Sequence, residues 1–172
     1  MKFYPMMYKG SIHDINYNKL KEAGVQCLLF DLDNTLILNK QEKLREKEKK
    51  LISSLKKDFH VIILSNNKSK TRVSRVAKDV DIPFFYLSFK PLNRNFKKIA
   101  NKYGLKPKEI CLIGDQLMTD IWGANRFGCL SCLVDPLGKT EEKITGINRF
   151  FEGRIFKKYE KNNIMKRGSY YE

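Results

Sequence analysis

Two patterns of apolar residues alternate along this chain. Residues 25–31 (VQCLLFD) form a continuous apolar run ending in an acid, as a strand buried on both faces would. Residues 60–64 (HVIIL), 83–89, 109–113 (EICLI) and 129–134 repeat that signal. Helical spacing fills the gaps. Residues 41–59 predict a helix, with Leu44, Leu51, Ile52, Leu55 and Phe59 on one stripe and Lys and Glu opposite. Val73, Val76, Ala77 and Val80 mark a second helix, closed by the Asp81-Ile82-Pro83 break. A third starts at Pro91, carries Phe96, Ile99, Ala100 and Tyr103, and stops at Gly104. A short fourth covers residues 120–127. This alternation predicts an α/β fold of three Rossmann-like layers around a mainly parallel five-stranded sheet.

Composition adds a question rather than an answer. The 172 residues suit one domain, and 42% hydrophobic content supplies a normal core. The 34 Lys and Arg exceed the 19 Asp and Glu by 15. Such an excess suits an anionic partner, nucleic acid or a membrane surface, but lysine-favouring codon usage would produce it too. No apolar run nears the roughly 20 residues a membrane span needs. Residues 1–15 lack the continuous apolar segment of a signal peptide, so a cytoplasmic chain is expected. Cys27, Cys111, Cys129 and Cys132 lie in or beside apolar stretches. Cys129 and Cys132 have metal-like spacing, but with only His13 and His60 to add, buried reduced thiols are the expectation. Residues 150–172 mix aromatics with lysines. They read either as a basic amphipathic surface helix or as a helix packed on the core with a solvated tail. Residues 1–8 and 150–159, rich in aromatics near lysines, are the expected membrane-facing surface, unless the N-terminal segment packs across the sheet edge.

Candidate chemistry sits where the strands end. The first ends Asp31-Leu32-Asp33-Asn34-Thr35 and the second Ser65-Asn66-Asn67. Lys90 follows the third, and Gly114-Asp115 the fourth, with Asp120 five residues on. Open α/β sheets bind ligands at such edges. Acidic loops that merely cap helices are the bland alternative, but four such sites in this order are hard to obtain by accident. Converging carboxylates repel unless a hard cation lies among them, and oxygen-only ligands suit magnesium. A carboxylate beside that cation can attack phosphorus, and a second carboxyl two residues on can protonate the leaving oxygen. Ser65, nearby backbone N–H groups and Lys90 would hold the phosphoryl oxygens.

At these residues the sequence resembles the haloacid dehalogenase (HAD) superfamily of phosphohydrolases. Its four motifs are matched by DLDNT at 31–35, Ser65-Asn66, Lys90-Pro91, and Gly114-Asp115 with Asp120. The resemblance narrows to subfamily IIIA and its YqeG-like group, which includes phosphatidylglycerophosphate phosphatases. It is carried further by SIHDI at 11–15, SNN at 65–67, GDQLMTD at 114–120, Asn125-Arg126, and Asn148-Arg149 with Glu152. The resemblance implies Asp31 as nucleophile and Asp33 as acid/base. It gives the magnesium ligands as Asp31, the Asp33 carbonyl and Asp115, with Asp120 in support. Thr35 and Asn66 join Ser65 and Lys90 as expected phosphate-binding residues. Leu36-Ile37-Leu38-Asn39 lacks the aromatic expected just after the first motif.

Spacing adds that neither gap, 33–65 or 65–90, has room for a cap domain. A capless domain over residues 1–155 is expected, with a lead-in at 1–24 and a basic helix or tail at 156–172. Such an open site suits a phosphate presented on a membrane or polymer. The expected partner is an anionic phospholipid headgroup, with peripheral contact at the inner membrane face. A nucleic-acid end phosphatase is the alternative enzyme. An RNA- or ribosome-binding module without turnover is the alternative of another class. Lys68, Lys70, Arg72, Arg94, Lys97 and Lys98 follow the second and third motifs and are the expected basic rim.

Overall fold

A computed structural model of the chain describes residues 2–138 and 150–172 in full and 143–149 by their backbone alone. Six strands, all parallel, form one sheet: β1 (Met7–Lys9), β2 (Cys27–Phe30), β3 (His60–Leu64), β4 (Phe84–Phe85), β5 (Ile110–Gly114) and β6 (Leu130–Val134). Their order is β1-β6-β5-β2-β3-β4. The sixth strand is an addition to the five expected. It is the three-residue β1, too short to show a periodic signal, and it pairs with β6 at the sheet edge. Packing of the N-terminal segment across that edge is thus what forms.

The continuous apolar runs follow from burial on both faces. In β2, Leu28 and Phe30 enter one core cluster while Cys27 and Leu29 enter the other. Alternate residues of β3 and β5 divide in the same way, because successive strand side chains point to opposite faces. Helices α2 (Glu46–Leu55) and α3 (Lys70–Asp79) cover the first face through Ile52, Leu55, Val73 and Val76. Helix α4 (Arg94–Tyr103) covers the second with Phe96 and Ile99, joined by Ala124 of the short α5 (Trp122–Phe127). A short α1 (Tyr17–Glu22), capped by Asn16, leads into β2 and was not evident from periodicity.

Helix boundaries shift for local reasons. Helix α2 begins at Glu46 rather than residue 41, with Glu46 and Glu48 favouring its positive end. Residues 41–45 form a loop that still buries Leu44. The third helix starts at Arg94, three residues after the cis Lys90–Pro91 bond. Gly104 ends it in the left-handed conformation that suits glycine.

The C-terminal helix α6 (Lys143–Lys161) runs across the expected boundary at 155/156. Its Phe156 and Tyr159, together with Met165, build a third cluster with Tyr8, Leu117, Ile121 and Leu133. Phe3 and Tyr4 pack against that cluster, and Tyr171 exchanges backbone hydrogen bonds with Tyr8. The aromatic surface expected of residues 1–8 and 150–159 is therefore largely spent inside the molecule. Among the described residues of that set, Met6, Phe150 and Phe151 are the large apolar side chains left strongly exposed. All four cysteines are free and buried, and burial pushes the thiols of Cys27, Cys129 and Cys132 up to about 12.

Candidate active site

Sheet register assembles the site. Phe30 is level with both Ile63 and Ile113, so the next residues, Asp31, Leu64 and Gly114, stand in one row at the C-terminal edge. Asp31 donates its backbone N–H to the Ile113 carbonyl, extending the pairing by one residue. Leu32 stays in the same core cluster as Leu28 and Phe30. That alternation turns Asp31 and Asp33 together away from the first core. Asn34 then closes the turn at φ 62°, a left-handed conformation that asparagine tolerates better than most residues.

Asp31, Asp115 and Asp120 each bring a carboxylate oxygen within 4.8 Å of the others, and all three residues are buried. Lys90 Nζ lies 2.5 Å from Asp31 Oδ1 and 2.6 Å from Asp120 Oδ1, with its side chain 1% exposed. Lys90 thus bridges two of the three carboxylates, those of Asp31 and Asp120. Desolvation pushes the Asp31 carboxyl up to about 7, against the pull of Lys90 and with the push of Asp120. A buried group of hard oxygen donors this close together fits a divalent cation.

Around this centre the other expected residues divide their work. Thr35 is buried and donates its hydroxyl to Asp115 Oδ1 at 3.4 Å, so it reaches a carboxylate of the acidic group rather than open space. Asn66, also expected at the phosphate, clamps the Lys90 backbone instead. It accepts the Lys90 N–H at 2.7 Å and donates to the Lys90 carbonyl at 3.0 Å. Its side chain thereby fixes the turn that aims the lysine. The Ser65 hydroxyl accepts the Asn67 N–H at 3.0 Å and keeps its own proton to donate.

Asp33 stands outside the carboxylate group, its side chain 22% exposed. Asn67 Nδ2 donates to its Oδ2 at 3.0 Å. Arg72 Nη1 lies 2.6 Å from Oδ1, in an ion pair without hydrogen-bond alignment. The Arg72 side chain is anchored in turn by its Nε, which donates to the Gln41 carbonyl at 2.9 Å. Asn67 and Arg72 are functional candidates that sequence reasoning did not assign to Asp33. The available signal was position: Ser69 caps α3 and accepts the Arg72 N–H, which sets Arg72 in the first turn after the second motif.

Gly114 explains itself sterically, since an added Cβ would overlap the Asp120 carboxyl group. That carboxylate also accepts the Gln116 N–H at 3.1 Å, and Asp120 lies in a π-helical turn, Leu117–Ile121, of the sort common at functional sites. Gly114→Ala is expected to displace Asp120 and cut kcat about 100-fold, the usual cost of a misplacement near 1 Å. Steady-state kinetics with a metal titration check this, and an unchanged metal requirement would contradict it. Glu152 accepts the Met118 N–H from the same turn at 3.3 Å. The side chains of Asn148 and Arg149 lie outside the described residues.

This parallel sheet with acidic loops at its C-terminal edge is similar in fold to solved HAD family enzymes. One solved structure of this fold is a HAD family enzyme from Bacteroides thetaiotaomicron in complex with magnesium and inorganic phosphate. It matches with a TM-score of 0.54 at 16% identity, over 70% of this chain and 99% of that one. The family model for mitochondrial PGP phosphatase matches residues 2–137, and the chain belongs to that family of phosphatases. The probable phosphatase YqeG of Bacillus subtilis is 32% identical over 89% of each chain. Phosphatidylglycerophosphate phosphatase 1 of Chlamydomonas reinhardtii is 24% identical over 80% of this chain, which spans 55% of that protein's length.

Proposed function

We propose that the chain hydrolyses the terminal phosphomonoester of phosphatidylglycerophosphate, giving phosphatidylglycerol and phosphate. The observation that carries the chemistry is the buried Asp31–Asp115–Asp120 group, with Lys90 bridging Asp31 and Asp120 and Asp33 set apart at its mouth. Family membership supports the choice of substrate.

In this reading an Asp31 carboxylate oxygen attacks phosphorus and the bond from phosphorus to the ester oxygen breaks. Asp33, as the acid, gives its proton to the departing lipid hydroxyl. Water then attacks the aspartyl phosphate, Asp33 takes its proton, and the bond to Asp31 breaks to release phosphate. Magnesium held by Asp31, Asp115 and Asp120 would offset negative charge where phosphate meets the carboxylates. Lys90 has one ammonium hydrogen left after Asp31 and Asp120, and Ser65 has its hydroxyl hydrogen. Both donors suit phosphoryl oxygens during transfer. Asn67 and Arg72 hold the Asp33 carboxyl group in place.

The gaps 33–65 and 65–90, expected to be too short for a cap, each hold a single helix, α2 or α3, which suits a mouth open to a large substrate. Among the described residues no helix is long and apolar enough to cross a membrane, and the proposed contact with the inner membrane face is peripheral. Phosphate release with magnesium should be compared across phosphatidylglycerophosphate, phosphorylated oligonucleotide ends and small phosphate esters. The lipid is expected to lead by about 100-fold in kcat/KM. A lead for oligonucleotide ends would replace the lipid reading with a nucleic-acid end phosphatase.

A further inference from the structure

Beside the site, the edge strand β4 and the residues after it border a groove of about 380 Å³. Lys70, Arg94 and Lys98 line it together with Tyr86, Leu87 and Phe89, and no carboxylate does. None of the three cations forms an ion pair among the described residues, and Lys70 sits 6.0 Å from the Tyr86 ring centre. Next to the groove, the Leu92 N–H donates to the Phe89 carbonyl at 2.8 Å, closing a turn with Lys90 and Pro91 at its centre. Lys90 points inward to Asp31, whereas Phe89 and Leu92 are 56% and 52% exposed.

The loop is held in this shape against local preference. Leu87 and Phe89 both have left-handed backbones, φ 45° and 53°, which bulky residues rarely adopt. Hydrogen bonds from Leu87 N–H to Asn67 O and from Ser88 N–H to Ser65 O, both 3.0 Å, tie it to the second motif. The turn that aims Lys90 inward thus presents Phe89 and Leu92 outward at the rim.

We propose that the turn at 89–92 and its groove are the docking surface for an anionic phospholipid bilayer. Phe89 and Leu92 enter the interfacial layer while Lys70, Arg94 and Lys98 meet lipid phosphates. The charge is complementary, the apolar tips are adjacent, and Phe89 lies one peptide step, about 3.8 Å between Cα atoms, from Lys90. Docking in this way brings a headgroup to the catalytic edge without lifting the lipid from the membrane. This inference deepens the lipid reading of the site and rests on it. It also moves the membrane-facing surface from the two chain ends to the opposite edge of the sheet.

The test uses the full chain labelled with a polarity-sensitive fluorophore at Leu92→Cys or, as a control on the β1 side, at Met6→Cys. Vesicles of phosphatidylcholine with phosphatidylglycerol contain no substrate, so binding is read apart from turnover. A blue shift at position 92 that requires phosphatidylglycerol, with none at position 6, is expected. Lys70→Glu/Lys98→Glu should weaken co-sedimentation about 30-fold and Phe89→Ser about tenfold. A shift at position 6 alone, or variants that bind these vesicles like the parent, would overturn the proposal. Displacement of the vesicles by single-stranded oligonucleotide, with no shift at position 92, would overturn it in favour of a nucleic-acid groove. Docking at position 92 by a chain that leaves phosphatidylglycerophosphate intact would sustain the surface and reject the substrate.

Discussion

Asp31→Asn should lower turnover by on the order of 10⁴-fold or more, because the amide cannot form the aspartyl phosphate. The replacement is nearly isosteric, and Lys90 retains its 2.6 Å contact with Asp120. It also removes a buried carboxylate whose charge is disfavoured, since desolvation pushes Asp31 up to about 7. The metal-free variant is therefore expected to be no less stable than the parent at pH 8, where the parent must hold that charge. Loss of catalysis and retention of Tm together separate a nucleophile from a structural acid. Asp33→Asn should behave differently: the first transfer slows, and any aspartyl phosphate formed persists because its hydrolysis lacks a base. Rapid-quench phosphate release and intact-protein mass distinguish the two variants. Turnover by Asp31→Asn within tenfold of the parent would remove Asp31 from the chemistry.

The strands and the four motifs were legible because a doubly buried strand is apolar throughout and its catalytic residues lie at a fixed end of it. Residues 60–64 appear as β3 unchanged, and Ser65 follows directly. Less legible were the hydrogen bonds that each motif residue makes within the protein. Thr35 and Asn66 belong to motifs that touch phosphate by resemblance, but here their hydrogen bonds go to Asp115 and to the Lys90 backbone. Arg72 was only one more cation in a basic stretch, and its pairing with Asp33 depends on how α3 enters the fold. The aromatics near both chain ends show a subtler limit. Tyr8, Phe156 and Tyr159 meet across 148 residues of chain or more, a packing that no local pattern encodes.

That division also recasts the net charge of +15. Of the six cations expected to ring the cleft, Arg72 pairs with Asp33, while Lys70, Arg94 and Lys98 line the groove beside β4. Three of the six therefore stand on the β4 flank of the acidic centre. An approaching anionic surface meets the cations first, and a single phosphate must still pass to the carboxylates. Attraction over the flank and repulsion at the centre together favour a site that works only when its cation is bound.

Lys90→Met is the other change with a large expected effect, and it acts on stability as well as rate. Methionine fills similar volume but leaves Asp31 and Asp120 without the ammonium that both contact. Removing one partner of a buried ion pair typically costs about 3–5 kcal/mol. The sign of the pH dependence follows from Asp31. Its carboxyl is raised from 3.8 to about 7 even with Lys90 opposing the shift, and without Lys90 it rises further. A carboxyl raised in the folded state favours folding most below its unfolded value and loses that advantage as pH rises through the folded one. The deficit of the variant should therefore be small near pH 5 and large near pH 8. Magnesium should restore more stability to the variant than to the parent, because it then supplies the positive charge that the lysine no longer does. Activity should remain low by about 100-fold or more even with saturating metal, since the proposed donor to the phosphoryl group is gone. Thermal unfolding at the two pH values, with and without magnesium, checks each part. A deficit that is the same at both would mean that Lys90 holds the site by packing and not by charge.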